Sequence, residues 1–375
     1  MMDDVPVSDQ IDGAPHPRET VRLWGQADAE QEFLDAFNSK RFHHGWLITG
    51  PKGIGKATLA WRLAKFLLSQ PVEEGGGLFG DPIAPSTLDS DPENPIVRRI
   101  MAGSEGGLCV IRREYDDKRK RFKSVIAVED VRKLKHFFAL SATDGGRRVV
   151  IVDAADDMNV NAANALLKVL EEPPARTTLF LISHQPSRLL PTIRSRCRTL
   201  RLNLLDRADV AGAMEQAGFG QHGDDDPAAL AALSAGSVGE AIRLSQLGGV
   251  KMYRALLSLI AEAPRIHRQN AISFAESFAG KGASEEFDVM ILMLDLLLTR
   301  LAKTGATGVP PAMPVTSNEA DVFRGLSATP MQALRWAEAH QDILSRLRHG
   351  RAVNLDPVTL ILDTVFKIEH CAQRA

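Results

Sequence analysis

The heptapeptide Gly50-Pro-Lys-Gly-Ile-Gly-Lys56 constrains this chain more than any other stretch, because it stands between the apolar run Trp46–Thr49 and a helical segment. A glycine-rich turn that leaves a buried strand and opens a helix gathers backbone N–H groups around one point, where phosphate oxygens can sit. Gly50, Gly53, Gly55 and Lys56 are therefore candidate phosphate ligands, with the lysine reaching the terminal groups. A turn that merely allows tight packing is the plainer reading, but the lysine and the flanking strand and helix outweigh it. The next position normally carries Ser or Thr, whose hydroxyl ligates magnesium, and here it is Ala57. Thr58 is kept as a candidate, one place too far along the helix.

Four more short apolar runs, Leu108–Ile111, Val149–Val152, Leu179–Ser183 and Thr199–Leu202, recur between helical segments. Runs of that length without alternation fit strands covered on both faces, so the pattern predicts an α/β domain with a parallel sheet over residues 1–204. Residues 1–17 read as a loose polar leader, and the Gly-, Pro-, Ser- and Asp-rich stretch 72–105 as a surface insertion. Asp226 with Pro227, Gly236, and the Ser237 and Glu240 pair punctuate three short helices, expected as a small lid over 205–247. From 248 to 375 the apolar period is helical throughout, and the last helix is expected from Asp356 and Pro357, with Leu360, Ile361, Thr364, Val365 and Ile368 on one face.

The 45 Lys and Arg nearly balance 47 Asp and Glu, and a net charge of -2 offers no general attraction to nucleic acid. The basic run Lys118–Lys123 adjoins Asp116 and Asp117 and is read as a solvated hairpin between Ile111 and Ile126. Three scattered cysteines, Cys109, Cys197 and Cys371, support neither a disulfide framework nor a four-ligand zinc site, so no metal is expected and a reducing cytoplasm is the expected home. Val289–Leu298, broken by Asp295, is too short to span a bilayer, and no membrane association is expected.

The run Val149–Asp153 ends in an acid placed to hold magnesium through water. Asn161–Pro174, whose sequence is NAANALLKVLEEPP, the run Thr177–Ser183, and Ile193-Arg-Ser-Arg-Cys197 together resemble in order and spacing the bacterial clamp-loader subunits of DNA polymerase III. These are P-loop ATPases of the superfamily associated with diverse cellular activities (AAA+). The resemblance runs from about Arg18 to Leu247 and continues more loosely beyond. It implies a parallel-sheet domain, a three-helix lid and a C-terminal helical collar that assembles into a hetero-oligomeric ring. It makes Arg196 an arginine finger acting in trans on a neighbour's ATP. Active members place a Glu after the acid to orient water, where this chain has Ala154, and motor subunits carry a second-sensor arginine where it has Gly236–Gly239. Asp156 and Asp157 are read as a helix cap and a solvated charge, and Trp24 with Gly25 and Gln26 as the segment lining an adenine pocket or docking a helix.

The losses at Ala57 and Ala154 argue for a silent catalytic centre, since phosphoryl transfer relies on positioning and electrostatics. Whether ATP still binds stays open, and no cofactor is required. The resemblance implies partners of the delta and gamma/tau kinds, with the sliding clamp and primed DNA reached through the complex. The rival reading is a weakly active motor subunit or another AAA+ ATPase.

Overall fold

The computed structural model describes residues 6–39, 42–71, 84–139, 146–219, 226–280 and 283–374. The chain forms two compact units, one of Met1–Gly220 with Gly236–Glu240, the other of Gln221–Ala235 with Ala241–Ala375.

In the first unit, β1 (Gly45–Thr49), β2 (Leu108–Arg112), β5 (Arg148–Asp153), β6 (Thr177–Ser183) and β7 (Arg198–Arg201) make a five-stranded sheet in the order β2-β5-β6-β1-β7, and β3 (Tyr115–Asp116) and β4 (Arg121–Phe122) form a separate hairpin. Every pairing within the five-stranded sheet is parallel. The parallel α/β expectation holds because β1 and β6 are buried at every position, the condition that lets an unbroken apolar run be a strand. Helices α1 (Ala27–Asn38), α2 (Lys56–Ser69), α3 (Pro95–Met101), α4 (Val128–Ala139), α5 (Val160–Glu171), α6 (Pro191–Arg194) and α7 (Arg207–Gln216) intervene or follow. On one face Leu47, Val150, Val152, Leu179 and Leu181 pack with Leu134, Leu166 and Leu170.

Two stretches differ from their sequence reading. Residues 72–83 of the expected insertion lie outside the described residues, while 95–101 form α3, which buries Val97 and Ile100 and is capped where Asn94 accepts from the Ile96 N–H at 2.9 Å. The leader over 6–16 is not loose, since it holds a nearly buried carboxylate and a buried imidazole, Asp9 and His16. The expected hairpin at Lys118–Lys123 is present as β3 and β4.

The second unit is helical. It comprises α8 (Pro227–Ser234), most of α9 (Val238–Gln246), α10 (Gly249–Ala261), α11 (Arg268–Glu276), α12 (Ala283–Thr307), α13 (Glu319–Leu326), α14 (Pro330–Ala352) and α15 (Pro357–Arg374). Asp226 caps α8 through the Ala228 N–H at 2.9 Å, with Pro227 at the first helical position. In α15 the residues Leu360, Ile361, Thr364, Val365 and Ile368 are all buried, as their spacing requires. No described helix is long and apolar enough to cross a membrane.

Candidate functional site

The turn after β1 is built on three glycines of positive φ, Gly50, Gly53 and Gly55, the last being the N-cap of α2. Gly53 shows why no larger residue serves: at φ +78°, an added Cβ would lie 2.4 Å from Ser237 Oγ. Lys56 opens α2 and is 3% exposed. Its ammonium donates to the Gly50 carbonyl at 2.7 Å and to the Pro51 carbonyl, so the cation closes its own loop. Burial pulls that ammonium down from 10.5 to about 8, against the opposing pull of Asp153 and Asp156. Thr58 sits half-buried in the first turn of α2.

Asp153 ends β5 beside Arg112, its register partner on β2. Burial pushes its carboxyl up to about 7, with Asp9 adding to the rise and Lys56 opposing it. Sequence spacing thus brings Lys56 and Asp153 within electrostatic reach of each other. Ala57 and Ala154 supply neither a metal-binding hydroxyl nor a carboxylate, and Ala154 is only 3% exposed.

Asp156 has a different role from the one its sequence position suggests. It caps no helix: its carboxylate accepts from Ser183 Oγ at 2.6 Å, from the His184 N–H, and from the Gln185 N–H at 3.1 Å. It therefore fastens the turn after β5 to the end of β6. The cap of α5 is Asn159, which accepts from the Ala162 N–H at 2.8 Å. Asp157 pairs with Arg113 at 3.0 Å. His184 is pushed down to about 4 by burial and by Lys56, which leaves its imidazole neutral near pH 7.

The segment Gly236–Glu240 rests on the phosphate loop. Ser237 Oγ donates to the Lys52 carbonyl at 2.9 Å, and the Gly239 N–H donates to the Gly53 carbonyl at 2.9 Å. A Cβ on Gly239 would come within 2.9 Å of Gly53 Cα, so the glycine expected in place of a sensor arginine permits backbone-to-backbone contact. Gln26 ties the same region from the other side: its amide donates to the Asn203 carbonyl at 2.8 Å and accepts from the Asn203 N–H at 3.1 Å. Trp24 takes the helix-docking alternative, lying against Gly212 of α7 with the Arg22 guanidinium 4.1 Å from its ring centre.

Arg196 lies at the other end of the sheet. Its carbonyl is beside Gly45, the first residue of β1, whereas the phosphate loop follows Thr49, the last. Five residues of strand separate the two by roughly 16 Å. Its guanidinium donates to the Thr192 carbonyl at 3.1 Å and pairs with Glu171 at 2.9 Å, with about a third of the side chain exposed. Cys197 behind it is half-buried, and burial pushes its thiol up to about 12.

Residues 25–206 match the family described as DNA polymerase III, delta subunit. The DNA polymerase III subunit delta prime of Pseudomonas aeruginosa is 44% identical over 41% of this chain and 41% of its own length. That of Escherichia coli is 28% identical over 93% of this chain and 96% of its own. The DNA polymerase III subunit gamma of Buchnera aphidicola is 27% identical over 52% of this chain and 47% of its own. The chain thus spans less than half of the Pseudomonas and Buchnera relatives it matches, and nearly all of the Escherichia one.

Proposed function

We propose that this chain, which is similar along nearly its whole length to the delta prime subunit of Escherichia coli DNA polymerase III, is a non-hydrolysing clamp-loader subunit presenting Arg196 to a neighbouring motor subunit. It works with delta and gamma/tau partners in a hetero-oligomer that loads the sliding clamp onto primed DNA. The placement of Arg196 carries this reading. A guanidinium at the amino end of β1 is a sheet's length from the phosphate loop of its own chain, and an exposed cation there can meet the nucleotide of another subunit. Delivery in trans makes hydrolysis conditional on assembly.

The loop itself supports the non-hydrolysing half of the reading. Lys56 is engaged by the Gly50 and Pro51 carbonyls, and the positions of the metal ligand and the water-orienting acid are alanines. In the free chain Arg196 is held by Glu171 at the surface. Such pairs are worth about 0–1 kcal/mol, so a neighbour's phosphate can displace it at small cost.

The test is DNA-stimulated ATP turnover by complexes reconstituted with the native or the Arg196→Ala chain and matched for assembly. Fingers elsewhere contribute about 10³–10⁵ in rate at the site they serve, and loss at one site of several gives a smaller but clear fall in total turnover and clamp loading. Arg196→Lys should not restore it, because an ammonium lacks the planar fork. Equal turnover and equal loading by native and alanine complexes would remove Arg196 from the reaction.

A further inference from the structure

The leader over residues 6–16 is folded onto the carboxyl edge of the sheet, where the phosphate loop and Asp153 lie. Asp9 has a side chain only 1% exposed, paired with Arg112 at 2.5 Å and with His16 Nε2 at 3.4 Å. Arg112 is the last residue of β2, directly across from Asp153. His16, 4% exposed, sets its ring edge-on to Trp61 of α2 with centroids 5.2 Å apart. Its Nδ1 accepts from the Arg18 N–H at 3.1 Å, which leaves Nε2 to carry the proton toward Asp9. The leader also bonds to itself: the Ala14 N–H donates to the Ile11 carbonyl at 3.0 Å and the Gln10 side chain to the Ala14 carbonyl at 2.7 Å.

Contact continues to the loop. A Cβ on Gly239 would meet Ile11 Cδ1 at 2.9 Å, and Gly239 is the residue whose N–H bonds Gly53. The leader therefore reaches β2, α2 and the segment seated on the phosphate loop. Carboxylates are almost never buried to this degree unless paired, and removing one partner leaves an uncompensated charge. Those ties make the leader a fixture of the fold.

We propose that residues 6–16 are the resident occupant of this edge, an intrachain acidic segment that holds the place a nucleoside triphosphate would need and keeps the loop from taking one. Asp9 brings its ion pair with Arg112 to the edge beside Asp153, so a polyphosphate entering there would have to displace that pair. Lys56, the cation that would offset its charge, is bonded to the loop carbonyls. The glycines and the lysine of the loop are retained, and Gly50, Gly53 and Gly55 keep positive φ, so removal of the leader is expected to uncover an anion cradle once Lys56 leaves the loop carbonyls.

The experiment measures binding of a fluorescent ATP analogue to the isolated full chain, to a chain lacking residues 2–16, and to full chains carrying Asp9→Ala or Ile11→Asp, each checked for folding. A leader seated in nine-tenths or more of the molecules weakens apparent affinity by about tenfold or more, and truncation or either point change recovers that factor. Adding Lys56→Ala to the truncated chain should remove the gain. The point variants decide the matter if the truncated chain does not fold. Equal affinity in all the folded forms, including no binding by any of them, overturns the proposal. So does free hydrogen exchange at the Ala14 amide of the native chain. Because every readout is on the isolated chain, a failed finger in the assembled complex leaves the result intact.

Discussion

Asp153 keeps its proton to about pH 7 in the folded chain, whereas an unfolded aspartate releases it near 3.8. Between those values the folded state binds more protons, so this residue's contribution to stability falls as pH rises through the window and is level on either side. Asp153→Asn removes that fall. Denaturant melts at about pH 4 and about pH 7.5 should show the variant gaining on the native chain toward the higher pH. A gap that stays constant or shrinks would mean that Lys56 stabilises the carboxylate more than burial penalises it. Lys56 and Asp153 were legible in the sequence because strand, turn and helix place them by local spacing. Asp156, Gln26 and Asp9 were not. Their partners lie 27, 177 and 103 residues away, at Ser183, Asn203 and Arg112, and no local pattern encodes contacts of that range.

At the scale of elements, three helices of the second unit meet at one buried carboxylate, and a fourth joins them through its arginine partner. Glu319 of α13 is wholly buried and accepts from Tyr253 Oη of α10 at 2.6 Å, from Arg300 of α12 at 2.9 and 3.2 Å, and from the Val315 N–H at 2.5 Å. Arg300 donates onward to the Ala232 carbonyl of α8 at 3.1 Å and to the Met313 carbonyl at 2.7 Å. Glu319→Ala leaves the guanidinium and the phenol without their acceptor and should cost about 3–5 kcal/mol, read as a lowered denaturant midpoint. A change under about 1 kcal/mol would show that water replaces the carboxylate there. Apolar period made these helices legible, and unbroken apolar runs did the same for the strands of the parallel sheet. Helix α3 escaped because its seven residues are too few for a period, although Asn94 before Pro95 is a start signal that could have found it. The leader escaped because its ties are two ion pairs and a ring contact, which leave no periodic trace.

At the scale of the molecule, a net charge of -2 leaves little for a polyanion to hold. The basic hairpin is answered locally, by Glu114 at 2.6 Å from Lys123 and by Asp116 at 3.8 Å from Arg119. The isolated chain should therefore bind primed DNA more weakly than about 10⁻⁴ M at physiological salt, below the ordinary non-specific range. Anisotropy titrations at several ionic strengths check this, and affinity falling steeply with salt would show a backbone-binding face. The strand β7 bears on how copies of the chain meet one another. It is four residues long and lies at the rim of the sheet, with Leu200 buried and Arg198, Thr199 and Arg201 exposed. Arg198 is anchored by Glu32 at 3.1 Å and by the Trp46 ring at 5.3 Å. A bare rim offers unpaired amides and carbonyls to any passing strand, which is how sheets template fibres. Here a second copy adding itself edge to edge would bring its own arginines against these, and so short a strand gives few hydrogen bonds in return. Growth of the sheet from molecule to molecule along this rim is thereby discouraged.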